Sequence, residues 1–181
     1  MADGHLEVCI KMLKINNFKV ETIGESQQIS ADIGGESIWF QIPQGVSCTI
    51  SAAPFIATLL LEAMYTGQDI EVDESVAVSR QLMENLQDLQ SVFACWNSEL
   101  KIVDIRGQLK DMKAPPSNKV ASFYSAGVDG SHTLCCKNQE ITHLILMDVF
   151  DGQGLEEEWQ QIVRQQKEFV EGLGKELVTI R

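Results

Sequence analysis

The chain has 181 residues, 44% of them hydrophobic and 22% charged, with a formal net charge of −12; that apolar content can bury a core in one or two domains. The acidic charge is spread without any basic stripe, which argues against nucleic acid as the main partner and leaves a small ligand or another protein. No apolar run approaches the roughly 20 residues needed to cross a bilayer and no charged-then-apolar leader opens the chain, so a cytoplasmic protein without a membrane partner is expected.

From Lys11 to about Ile42, short extended segments are broken by Gly24 and by Gly34-Gly35, with Ile38, Phe40 and Ile42 alternating against Trp39 and Gln41. This alternation predicts antiparallel strands. Pro54 then fits the first turn of a helix, and Phe55, Ile56, Leu59, Leu60, Ala63 and Met64 recur at helical spacing until Gly67, predicting a mostly buried helix. A longer amphipathic helix is expected after Ser75, with Leu82, Leu86, Leu89, Phe93 and Trp96 on its apolar stripe. Leu100 to Ile105 reads as a strand, after which Gln108 to Asn118 loses periodicity and carries Pro115 and Pro116. The reading is an N-terminal α+β domain over residues 1–108 and a linker over 109–118.

Beyond the linker, Val120 to Tyr124 and Ile141 to Phe150 read as buried parallel strands. Leu155, Trp159, Ile162, Val163, Phe169, Val170 and Leu173 predict an amphipathic helix between Leu155 and Leu173, and Leu177 to Ile180 resumes as strand. Strand, helix and strand in this order imply a parallel sheet with a right-handed crossover. Residues 119–181 therefore read as an α/β domain.

The stretch Ser125-Ala126-Gly127-Val128-Asp129-Gly130-Ser131 sits between predicted strand and helix. Small residues there let main-chain N–H groups approach phosphoryl oxygens, the hydroxyls of Ser125 and Ser131 can donate, and the helix mouth adds free amides and the positive end of its dipole. An acidic chain can thus bind a phosphate without a basic residue.

Ser125 to Gly130 resembles the SGGxDS loop of the N-type ATP pyrophosphatases, or PP-loop superfamily, which includes GMP synthetase, asparagine synthetase and 7-cyano-7-deazaguanine synthase. The run from Ala121 through Phe150, ASFYSAGVDGSHTLCCKNQEITHLILMDVF, is similar to a branch reading approximately FSGGVDS, short helix, strand ITHL, often preceded by a mixed domain like Ile38 to Ile105. The resemblance implies the first part of a Rossmann-like, adenine nucleotide α-hydrolase domain that binds ATP and Mg²⁺. Its nucleotide-binding residues would be Ser125, Ala126, Gly127, Val128, Asp129, Gly130 and Ser131. It also implies an enzyme that cleaves ATP between the α and β phosphates and adenylates a carboxyl or carbonyl oxygen for amidation or thiolation. A doubly wound domain needs about five strands and three follow the linker, so such activity calls for completion by further sequence or a partner.

Two departures stand out: Ala126 occupies a family glycine and Gly130 the closing family serine. A positive φ at 126 would cost alanine on the order of 1 kcal/mol, and losing the hydroxyl at 130 removes a donor worth roughly 1.5–3 kcal/mol to a charged acceptor. These favour the alternative function, a non-catalytic binding or scaffold module acting through protein association. An incomplete sheet with an exposed edge also makes homo-oligomerisation an expectation.

Asp129 is expected either to help hold Mg²⁺ or, by a slight margin, to cap the helix. The resemblance places main chain around Leu146 to Asp148 beside the adenine, while Asp148 by itself reads as a solvated strand-end residue. The odd set of five cysteines, with no CxxC pair, suggests neither a disulfide framework nor a zinc ribbon, and Cys135 and Cys136 are expected buried on a helix beside Leu134. His132 reads as a surface group, with a place facing the phosphates as the alternative, His143 as a satisfied core or edge histidine, Glu156 to Glu158 as acids offsetting a helix dipole, and Trp39, Trp96 and Trp159 as core residues.

Overall fold

A computed structural model of the protein describes residues 12–46, 48–112, 117–148 and 156–181. The segment bearing Cys9 and Lys11, the pair Pro115-Pro116, Phe150 and Leu155 lie outside the described residues.

Three strands open the fold: β1 (Leu13–Ile23), β2 (Ser26–Ile33) and β3 (Glu36–Pro43). Neighbours in this trio are joined by two-residue turns, a connection open only to antiparallel pairs, and Gly24, Gly34 and Gly35 supply the positive φ angles there. Helix α1 (Ala53–Thr66) follows, with proline in its first turn and Gly67 at φ 69° closing it by an N–H bond to the Ala63 carbonyl. Its buried residues are the six of the predicted stripe, Phe55, Ile56, Leu59, Leu60, Ala63 and Met64.

The remainder of this region is β4 (Ile70–Val72), β5 (Val78–Ser79), α2 (Arg80–Trp96), β6 (Ile105–Arg106) and β7 (Leu109–Lys110). The five-stranded sheet has the order β3-β2-β1-β4-β6, with β4 parallel to both β1 and β6, and β5 pairs in parallel with β7. The expected α+β segregation is thus replaced by a mixed sheet. Helix α2 is the crossover between β4 and β6, a βαβ arrangement hidden from a sequence reading because strands of two or three residues carry no periodicity. Only Ile105 of the predicted strand Leu100 to Ile105 joins a sheet; the N–H of Val103 is instead donated to Oε1 of the buried Gln90 at 2.9 Å. Helix α2 begins at a Ser79 cap rather than after Ser75, and its predicted stripe buries only Leu86 fully while Trp96 is 77% exposed.

The C-terminal elements are β8 (Ala121–Phe123), α3 (Val128–Cys136), β9 (His143–Met147), α4 (Glu156–Gly172) and β10 (Glu176–Ile180). They form an α/β arrangement with a three-stranded sheet ordered β10-β9-β8, parallel throughout. Tyr124, Leu134, Ile141, Leu144 and Val170 form its core with Leu177 against them, and Tyr124 stacks on Phe169 with centroids 6.3 Å apart. Lys175 is buried beside this core and donates from Nζ to the carbonyls of Asn138 at 2.5 Å and Ile141 at 2.6 Å, so its charge meets fixed dipoles rather than a carboxylate.

The chain divides into two compact units: residues 1–20, 29–39 and 49–113, and residues 21–28, 40–48 and 114–181. Segments from the strand trio therefore count with the C-terminal elements. Within that second unit, Gln41 and Arg181 exchange both backbone hydrogen bonds, at 2.7 and 3.0 Å. No helix among the described residues is long and apolar enough to cross a membrane.

Candidate functional site

All three parallel strands of the second unit end at the same side of their sheet, and the turn, Asp148 and Arg181 each follow directly on one of those ends. Carboxyl ends of parallel strands are where open α/β sheets place ligands. Two polar features occupy this end.

The first is the turn between β8 and α3. Tyr124 donates its N–H to the Ile145 carbonyl at 2.8 Å, which fixes the strand end, and the chain then reverses through Ala126 at φ 59°. Among the described residues only Asn17 and Ala126 are non-glycine residues with positive φ. Alanine, unlike asparagine, has no polar side chain to offset that conformation. Gly127 caps α3 in an extended conformation, φ −77° and ψ 174°, with no side-chain cap, and its carbonyl accepts the first helical bond from the Ser131 N–H at 3.0 Å. The amides of Val128, Asp129 and Gly130 precede that bond and have no partner within the helical ladder. Val128, at 86%, and Asp129 are exposed, and Gly130 is half-buried.

The helix therefore starts earlier than the expected position near Gly130, and Gly127 rather than Asp129 is the N-cap. Asp129 lies in the first turn, where a carboxylate offsets the dipole. A Cβ added at Gly130 would meet Tyr124 Cδ2 at 3.5 Å and the Ser125 nitrogen at 3.6 Å, so a serine side chain begins there in ordinary contact. At Gly127 it would meet only Ser125 Oγ, at 3.2 Å.

The second feature is an ion network that sequence reading missed. Arg181, next after β10, donates from Nε to Asp148 Oδ2 at 2.9 Å and from Nη1 to Glu156 Oε2 at 2.6 Å. Gln160 donates to the other Glu156 oxygen at 2.9 Å. The Asp148 side chain is only 6% exposed, so the solvated strand-end reading is overturned, and an arginine remote in sequence pairs with it. Hydrogen bonds from Gln160 and then Arg181 hold the Glu156 carboxyl below its usual range, and the bond to Glu156 raises the Arg181 guanidinium further. A cleft of about 270 Å³ beside the network is lined by Gln41, Trp159, Gln160, Thr179 and Arg181 among others. The separation of 25 residues between Arg181 and Glu156 left no local spacing signal.

The other expected residues divide. Trp159 is buried, but Trp39 and Trp96 are exposed, and Trp96 instead leans on Phe93 with centroids 6.0 Å apart. Cys135 and Cys136 are exposed rather than buried, because the nine-residue α3 turns only Leu134 into the core. His132 Nε2 lies 3.5 Å from Cys136 Sγ. His143 is a satisfied histidine, with Nδ1 2.7 Å from Thr142 Oγ1 and Nε2 3.2 Å from Glu176 Oε2. Among the described residues no three His, Cys, Asp or Glu side chains are grouped so as to hold a metal. Comparisons with family models, with curated proteins and with solved structures found no match.

Proposed function

We propose that the second unit binds the phosphates of an adenine nucleotide, ATP by the PP-loop resemblance, at Ser125 to Ser131. The observation that carries this reading is the positive φ of Ala126 immediately before the uncapped mouth of α3. A backbone held in a glycine conformation by alanine costs on the order of 1 kcal/mol, and such strain gathers at ligand clamps. The amides of Val128 to Gly130 would receive the phosphate oxygens, with the hydroxyls of Ser125 and Ser131 as further donors. In this reading β8, β9 and β10 form the first half of a doubly wound, Rossmann-like sheet, and the turn follows its first strand.

Magnesium enters with the nucleotide. Hard cations on phosphates need only one or two protein carboxylates, and Asp129 in the first turn of α3 fits that role. Bound there, the metal would neutralise phosphate charge, while the chain's own part is to orient the phosphates through main-chain amides. The glycine at 130 favours binding over turnover, because the hydroxyl that would steady a departing pyrophosphate is missing. Activation of a carboxyl or carbonyl oxygen by adenylation is the stronger form of the proposal, and it predicts release of AMP and pyrophosphate.

Titration calorimetry with ATP and Mg²⁺ tests the site. Saturable heat is expected from the native chain, none from Gly127→Val, and tighter binding from the double variant Ala126→Gly, Gly130→Ser. Heat that survives Gly127→Val, or is absent throughout, overturns the assignment.

A further inference from the structure

We propose that His132 and Cys136 on the exposed face of α3 form a two-ligand site for a soft divalent cation, Zn²⁺ in the first instance. The residues are four apart on one helix, the spacing that brings side chains together on a helical face and the one by which paired histidines hold zinc. Their donor atoms, imidazole Nε2 and thiol Sγ, lie 3.5 Å apart. A tetrahedral zinc with bonds of about 2.3 Å to sulfur and about 2.0 Å to nitrogen holds those two atoms about 3.5 Å apart. The hydrogen-bonded pair is therefore already at the donor separation that the metal would set.

The donor chemistry selects the ion. Thiolate and imidazole favour Zn²⁺ over Mg²⁺ or Ca²⁺, which take oxygen ligands, so this site is distinct from the magnesium that accompanies a nucleotide. Both side chains are exposed, and the net charge of −12 draws cations to the surface. With two protein ligands, two positions of a tetrahedral ion remain for water or an outside donor, one more than the three-ligand arrangement of catalytic zinc leaves open. On binding, a sulfur–metal bond forms and the thiol proton is released to solvent, so affinity rises with pH. The neighbouring Cys135 is also exposed, and the imidazole of His132 lies against Cys136, which makes Cys135 the internal control.

The test uses the full, reduced chain titrated with Co²⁺ and read through the thiolate-to-cobalt charge-transfer absorption, followed by displacement with Zn²⁺. One cobalt per chain is expected, with the band lost in Cys136→Ser, retained in Cys135→Ser, and weakened about tenfold or more in affinity by His132→Ala, since loss of even an outer-shell partner costs that much. No band in the native chain, a band that persists in Cys136→Ser, or one that disappears in Cys135→Ser overturns the proposal. All the positions are exposed, and far-ultraviolet circular dichroism of each variant verifies that the comparison is between folded chains.

Discussion

Helix α1 is left through Gly67 at φ 69°, whereas α3 is entered through Ala126 at φ 59°. The same region of conformational space is used in opposite ways. At Gly67 the residue type suits the angle, the N–H closes the helix on Ala63, and six side chains behind it are buried. At Ala126 the residue resists the angle, the helix that follows buries Leu134 alone, and its first amides are left without a cap. At Gly67 residue and backbone therefore agree, and at Ala126 they conflict, without the polar side chain that Asn17 brings to its own positive φ. Such conflicts are expected where a ligand, rather than the fold, sets the requirement.

The largest expected effect separates the two helices by what they bury. Phe55 is fully buried, with its ring 5.6 Å from that of Phe18 in an edge contact, so Phe55→Ala is expected to lower unfolding free energy by about 3–5 kcal/mol. Leu134→Ala in α3 should cost about 2 kcal/mol, the lower end for a buried leucine. Urea unfolding followed by circular dichroism measures both, and equal losses would erase the contrast between the helices.

A smaller effect sharpens it through sign. Gly67→Ala should destabilise by about 1 kcal/mol, because alanine is strained in the left-handed region; the Cβ would also press on Lys101 Cδ at 3.0 Å, a flexible side chain that can move. Ala126→Gly runs the other way. Relief of about 1–2 kcal/mol of strain is opposed by about 0.4–1 kcal/mol from the looser unfolded chain, leaving a net gain of a little under about 1 kcal/mol. If thermal unfolding moves in the same direction for both substitutions, Ala126 is not strained.

How much of this was legible in the sequence follows from where the determinants sit. The helix from Pro54 to Gly67 was readable because stripe, proline and closing glycine all lie within one window of residues. The strand, turn and helix around Ser125 were readable for the same reason, together with the positive φ at Ala126 that the glycine comparison raised. What escaped depends on groups distant in the chain. Asp148 pairs with Arg181, Val103 donates to Gln90, and β4 pairs with both β1 and β6 through contacts of a few residues. The general habit of free thiols points Cys136 to a core, whereas α3 is too short to turn a second face inward. Trp96 misled similarly, since its place on an apolar stripe carries no information about whether anything packs against the last turn.

The smallest effect compares one carboxylate from each unit. Asp73 is held below its ordinary range first by the Ser75 side chain and then by the Ser75 N–H, groups two residues away, and Glu156 is held below its range by Gln160 and by the distant Arg181. Both folded values are depressed, so each contribution is complete above the ordinary carboxylate range and is lost as pH falls through the lowered value. Raising the Arg181 guanidinium adds only a contribution present below its already alkaline range, so the acid limb belongs to the carboxylates. Asp73→Asn and Glu156→Gln should each flatten the fall in urea midpoint with acid and leave the slope near neutrality unchanged. The two differ in salt. The Glu156 effect includes an exposed ion pair and should shrink in about 1 M salt, where screening acts over about 3 Å, while the Asp73 effect rests on neutral donors and should persist. Equal salt sensitivity would mean that Arg181 does not hold Glu156 in solution, and with it would go the ion network at the carboxyl ends of β9 and β10.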